Sequence, residues 1–148
     1  MLDDTQLPTQ PNTMICFALY TASHAMNRAY VPLLKDLGLT YPQWITLMFL
    51  WEDDDQSVGS LSTKLQMQTN TLTPLLKRLE TLGHVTRTRN PKDERQVIIR
   101  LTSSGRAMQK HSADVTRCVI ESTGFDLPML ENLVKVLSTL RDQVATAD

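Results

Sequence analysis

The sequence predicts a mainly α-helical fold that carries one small β-hairpin, and three patterns point to it. Leucines recur at helical spacing over residues 69–83, two β-rich segments follow at 84–89 and 96–101, and wide apolar stripes run near both ends of the chain. With 148 residues and 41% hydrophobic content, the chain suits one soluble domain, 1–148, with a core of its own.

Past a polar leader at 1–12, Ile15, Ala18, Leu19, Ala22, Met26, Ala29 and Leu33 keep helical spacing. They predict a long first helix over 13–37, ended by Gly38 and kinked near its end by Pro32. The leader and the last few residues are the candidates for disorder. Thr40-Tyr41-Pro42-Gln43 has the form of a capping box with proline in the first turn, and opens a second helix whose apolar run spans 44–51. That run stops at Glu52-Asp53-Asp54-Asp55, which reads as an exposed turn; consecutive aspartates lack the alternating ligands and glycine of a calcium loop. Ser57 begins a short third helix with Leu61 and Leu65 inward.

In the fourth helix, Leu72, Leu75, Leu76, Leu79 and Leu82 form the buried stripe and Gly83 supplies the stop. The opposite face carries Asn70, Thr73, Pro74, Lys77, Arg78 and Thr81. These are mostly short hydrogen-bonding or cationic groups, suited to lying against base edges in a DNA major groove. Pro74 is close enough to the helix start to forfeit only about one intrahelical bond. The second strand alternates Val97, Ile99 and Leu101 on one face, with 90–95 as the connection. Residues 57–101 therefore read as helix, turn, helix and hairpin, the sequence form of a winged helix-turn-helix.

Thr102 is placed to cap a fifth helix reaching about Thr123, which Gly124 ends. Asp126 caps a last helix with Pro128 in its first turn and a stripe of Leu127, Leu130, Leu133, Val134, Leu137, Leu140 and Val144. The terminal elements, 13–37 and 102–146, have wide apolar faces with no obvious partner within the domain, so a homodimer is expected through them. Two reading heads related by a two-fold axis fit double-stranded DNA carrying an inverted repeat, with half-sites about 34 Å apart.

The formal net charge of −1 says nothing about nucleic acid, but its distribution does. Residues 64–106 hold nine basic residues (Lys64, Lys77, Arg78, Arg87, Arg89, Lys92, Arg95, Arg100, Arg106) against three acidic, a local balance of +6 that leaves −7 elsewhere. A basic head on an acidic body is the footprint of a duplex-binding module, whereas a merely solvated hairpin needs no such segregation. No apolar run reaches the ~18 residues of a membrane span and no signal-peptide layout opens the chain, so a cytoplasmic protein without membrane contact is expected. His24, His84 and His111 are scattered without metal or catalytic spacing, so neither a cofactor nor a metal is expected, and a thiol-dependent peroxidase is disfavoured.

Over residues 14–122 the order of elements, with Thr71-Leu72-Thr73-Pro74-Leu75-Leu76-Lys77-Arg78-Leu79-Glu80, Asp93-Glu94-Arg95 and Leu101-Thr102-Ser103-Ser104-Gly105, resembles the MarR family of dimeric winged-helix regulators. Cys16-Phe17-Ala18-Leu19-Tyr20, Tyr30-Val31-Pro32-Leu33-Leu34 and Leu39-Thr40-Tyr41-Pro42-Gln43 resemble its organic-hydroperoxide-sensing OhrR branch. The resemblance implies that Thr69, Asn70 and Thr71 enter the major groove with Arg78 nearby, and that Arg95, oriented by Asp93, reaches the minor groove from the wing. Thr73, Lys77, Arg87 and Arg89 complete the expected DNA-binding set. Gln68-Thr69-Asn70 departs from the Asp-Ser-Gly familiar in that branch, which leaves the operator sequence and a base contact at Asn70 open.

The same resemblance implies that Cys16, as a thiolate, attacks an organic hydroperoxide that acts as inducer, with Tyr30 and Tyr41 of the partner subunit hydrogen-bonding to the sulfur. Read from composition alone, Cys16 is a small buried hydrophobe. Cys118 resembles the second cysteine of two-cysteine members, which closes an intersubunit disulfide; a packing thiol on the fifth helix is its alternative. A regulator controlled by a small aromatic or lipid ligand, without cysteine chemistry, is the competing function.

Overall fold

The computed structural model describes residues 3–146. Among these residues, seven α-helices and a three-stranded sheet follow one another as α1 (Ile15–Lys35), α2 (Tyr41–Glu52), β1 (Gln56–Ser57), α3 (Val58–Leu65), α4 (Thr69–Thr81), β2 (Val85–Asn90), β3 (Asp93–Leu101), α5 (Ser103–Ala107), α6 (Ser112–Thr123) and α7 (Leu127–Ala145). The predicted winged helix-turn-helix is present, and none of these helices is long and apolar enough to cross a membrane.

Local chemistry sets most boundaries. The Gln43 carboxamide accepts the Thr40 N–H at 2.9 Å, Ser57 Oγ accepts the Ser60 N–H at 3.0 Å, and Asp126 Oδ1 accepts the Met129 N–H at 2.9 Å. Gly83 ends α4 at φ +81, a left-handed conformation costly for any residue with a Cβ. The core joins Leu34 of α1, Trp44, Leu47 and Leu50 of α2, Leu61 of α3, Leu72, Leu76 and Leu79 of α4, and Ile99 of β3, all essentially without solvent contact. Each buried leucine is worth about 2 kcal/mol, so the three on α4 together outweigh the ~3 kcal/mol penalty of an interior proline at Pro74.

The leader is exposed and contains 3-10 turns at Asp4–Gln6 and Pro11–Thr13, the first capped by Asp3 Oδ1 on the Thr5 N–H at 3.0 Å, and the disorder expected at 1–2 and 147–148 lies outside the described residues. Three expectations are corrected. A third strand, β1, pairs antiparallel with β3 through Gln56↔Ile99 and Ser57↔Ile98; two residues are too few to carry a periodicity. The single fifth helix is instead α5, a 3-10 turn at Met108–His111, and α6. The chain changes partner there, since α5 docks against the His84 backbone and α6 packs on α1. Lastly, 52–55 is more than an exposed turn. Asp53, Asp54 and Asp55 pair with Lys64, Arg106 and Arg100, and Asp54 also accepts the Leu101 N–H at 2.9 Å.

The joint between α4 and the wing is held tightly. His84 is buried, its carbonyl accepts the Thr102 N–H at 3.0 Å, and its Nδ1 lies 3.2 Å from Ser104 Oγ. Burial holds the imidazole below its ordinary pKa. Gly105 packs so closely here that an added Cβ would meet the His84 carbonyl oxygen at 2.0 Å.

Candidate nucleic-acid interface and thiol site

Because α4 buries its leucine face, Thr69, Asn70, Thr71, Lys77 and Arg78 stand exposed on the opposite side. Thr73 is half-buried and its hydroxyl donates to the Thr69 carbonyl at 2.8 Å, so this group is already engaged within the helix.

The hairpin register decides which arginines face α4. Val85, Arg87 and Arg89 oppose Leu101, Ile99 and Val97, and residues directly opposite share a face, so Arg87 and Arg89 lie on the side of the sheet that meets the core. Arg87 Nη1 is 3.5 Å from Glu80 Oε2 on α4, and its Nε is buried with no partner. This side chain braces the wing against the helix. At the tip, Asp93 Oδ1 accepts the main-chain N–H of Arg95 at 3.1 Å, fixing the backbone from which the guanidinium extends. Arg95 lines a cleft of about 390 Å³ with Ser57, Thr69 and Thr73, at the point where the wing meets the start of α4.

The nine basic residues of the head are not equivalent. Lys64, Arg87, Arg100 and Arg106 are engaged by Asp53, Glu80, Asp55 and Asp54. Among the described residues, the remaining five (Lys77, Arg78, Arg89, Lys92 and Arg95) belong to no ion pair, and they cluster on α4 and the wing. Composition could not sort them, because three of the four acidic partners lie outside the basic segment. Only the fold brings them together.

The thiol site is dispersed within one chain. Cys16 lies in the first turn of α1 and is exposed, which removes its reading as a small hydrophobe buried within the protomer. Tyr30 and Tyr41 come together, their ring centroids 4.6 Å apart. Burial pushes both phenols above the ordinary tyrosine range, reinforced at Tyr30 by Tyr41, so both stay protonated at neutral pH and can donate hydrogen bonds. Tyr30 lies fourteen helical steps after Cys16 on α1, about 21 Å along the axis, so the tyrosines cannot reach the sulfur of their own chain. Cys118 is exposed on α6 and lines a cleft of about 300 Å³ with Leu33, Leu37 and His111, again at the far end of α1 from Cys16. A disulfide needs Cα atoms within about 7 Å, so these two cysteines cannot pair within one protomer.

The family model described as transcriptional regulator SarA/Rot matches residues 28–111, more than half of the chain. Among curated proteins, the HTH-type transcriptional regulator TtmR of Methylorubrum extorquens is 42% identical over 93% of this chain and 70% of its own length. The organic hydroperoxide resistance transcriptional regulator of Bacillus subtilis is 38% identical over 87% of this chain and 90% of its own. Among solved structures, reduced AbfR bound to DNA, a protein of Staphylococcus epidermidis, superposes with a TM-score of 0.75 at 34% identity, covering 88% of this chain and 90% of that one. Family model, relatives and fold agree, and the chain belongs to the SarA/Rot family of transcriptional regulators, with the MarR-type winged helix its sequence resembles.

Proposed function

We propose that the chain is a dimeric repressor that binds an inverted-repeat operator through α4 and the wing, and leaves it when an organic hydroperoxide oxidises Cys16. The observation that carries the DNA-binding part is the group of five cations on α4 and the wing that no carboxylate among the described residues neutralises, with Arg95 lining the cleft where the wing meets the start of α4. Cations already paired would gain little from phosphates, whereas free ones release condensed counterions on binding. Affinity for a duplex with an inverted repeat should therefore fall steeply as salt rises, and a salt-insensitive affinity would remove this reading.

Dimerisation supplies what the sensing chemistry lacks in one protomer. Ile15, Phe17, Tyr20 and Val31 on α1 and Leu127, Val134, Val136 and Val144 on α7 are exposed, an apolar area suited to a second copy. With two α1 helices antiparallel across a two-fold axis, each Cys16 approaches the partner's tyrosine pair. The phenol hydroxyls then donate to the thiolate, favouring the form that attacks a peroxide oxygen and becomes sulfenic acid, with release of the corresponding alcohol.

A regulator that answers to a small ligand is supported by one feature. Asn27, Val31, Leu34, Lys35, Leu39 and Tyr41 line a cleft of about 350 Å³ that combines an apolar wall with an ammonium. Intact mass after organic hydroperoxide separates the two: an oxygen adduct or a loss of thiol hydrogens at Cys16 supports the redox reading, and an unchanged mass in protein that has left DNA supports the ligand.

A further inference from the structure

We propose that Asp54 is a positioning residue for DNA recognition: its carboxylate fixes the base of the wing to the end of α2, and so sets where Arg95 lies relative to α4. The proposal rests on the DNA-binding reading above. In sequence Asp53, Asp54 and Asp55 look alike, yet their side chains are 67%, 21% and 54% exposed. Only the middle one is drawn inward. Its Oδ1 accepts the main-chain N–H of Leu101 at 2.9 Å and that of Asp55 at 2.8 Å, while its Oδ2 takes the Arg106 guanidinium. One carboxylate thus joins the turn after α2, the last residue of β3 and α5, across 47 and 52 residues of sequence.

The geometry gives this bond leverage. Leu101 is the base of β3 and Arg95 stands six residues up the strand, about 20 Å at the rise of an extended chain. A rotation of about 10° at the base displaces the tip by roughly 3.5 Å, more than the length of a hydrogen bond. The other ties at this corner do not involve Asp54: Trp51 Nε1 donates to the Gly105 carbonyl at 2.9 Å, the Thr102 N–H to that of His84 at 3.0 Å, β1 pairs with Ile98 and Ile99, and Arg100 pairs with Asp55. Neutralising Asp54 therefore loosens the wing without dismantling the domain.

Electrostatics and positioning predict opposite signs. Asp54→Asn removes a negative charge from the head and frees Arg106, which by charge alone tightens DNA binding. If Asp54 positions the wing, binding weakens instead. The test uses the full-length protein and a duplex selected by the wild type from a random-sequence pool, with affinity measured against salt. Asp54→Asn should weaken binding by about tenfold and flatten the salt slope by about one phosphate contact, while Asp53→Asn does not weaken it. Arg95→Ala should cost much less in the Asp54→Asn background than in wild type, a coupling that a general loss of stability does not produce. Equal or tighter binding by Asp54→Asn, or an Arg95→Ala effect identical in both backgrounds, overturns the proposal. If Asp54→Asn does not fold, Arg106→Gln releases the same carboxylate from one side; a reduced Arg95→Ala effect supports the assignment there and an unchanged one overturns it. A wild type that selects no duplex overturns the DNA-binding reading, and this one with it.

Discussion

The Tyr30 and Tyr41 rings meet at 4.6 Å with an interplanar angle of 43°, joining α1 to the first turn of α2. Both hydroxyls are protonated donors, and the pair lies about 21 Å along α1 from the cysteine of its own chain. Tyr41→Phe keeps the ring contact and removes one donor. Oxidation of Cys16 by an organic hydroperoxide should then slow by about tenfold, the equivalent of one hydrogen bond to a charged group, with DNA affinity in the reduced state unchanged. Stopped-flow measurement of the loss of free thiol checks this; an unaltered rate would detach the tyrosines from the sensing step.

Two arginines of the hairpin should fail in different ways. Arg95→Ala should weaken operator binding by about tenfold or more and lower the salt dependence by about one phosphate equivalent. Arg87 is braced by Glu80, so Arg87→Ala should chiefly lower the urea midpoint of unfolding. Lys35→Ala, at the end of α1 and outside the basic head, should leave both quantities unchanged. Equal effects of Arg95→Ala and Lys35→Ala on binding would contradict the proposed docking.

Gly105→Ala sets two effects against each other. In an exposed helix, alanine is better than glycine by about 1 kcal/mol. Here the new Cβ would sit 2.0 Å from the His84 carbonyl oxygen, and a backbone group that also accepts the Thr102 N–H cannot yield cheaply. Overpacking of this kind costs about 1–3 kcal/mol or more, so the net effect should be destabilising by about 1–2 kcal/mol. A gain in stability in chemical denaturation would show that α5 is loosely docked.

Cys118 tests the route taken after oxidation. If the partner's Cys16 comes within reach, its sulfenic acid is attacked by Cys118, the S–S bond forms and water leaves. Non-reducing electrophoresis after hydroperoxide treatment should show a covalent dimer that either Cys16→Ser or Cys118→Ser abolishes. A protein that leaves DNA while remaining monomeric on the gel would make Cys118 a packing residue.

Much of the fold was legible because its signals are local. The leucine stripe of α4, the Thr40 to Gln43 capping box and the Asp126 cap each act within four residues, and all appear where the sequence places them. What escaped depends on distant partners. β1 exists because β3 lies beside it, and α5 separates from α6 because one docks on His84 and the other on α1. The candidate site divides in the same way. Its residue types could be read directly, but that Arg87 is engaged by Glu80 while Arg95 belongs to no ion pair among the described residues, or that Asp54 reaches Leu101, follows only from the folded chain.

Hydroperoxide-dependent release of DNA by the Cys16→Ser protein tests the central claim most directly. With the reduced dimer bound to its operator, wild type should dissociate on addition of an organic hydroperoxide, whereas Cys16→Ser should bind equally well at the start and stay bound, because a hydroxyl cannot form the sulfenic acid. If Cys16→Ser leaves the operator as wild type does, Cys16 is not the sensor and regulation lies elsewhere in the dimer.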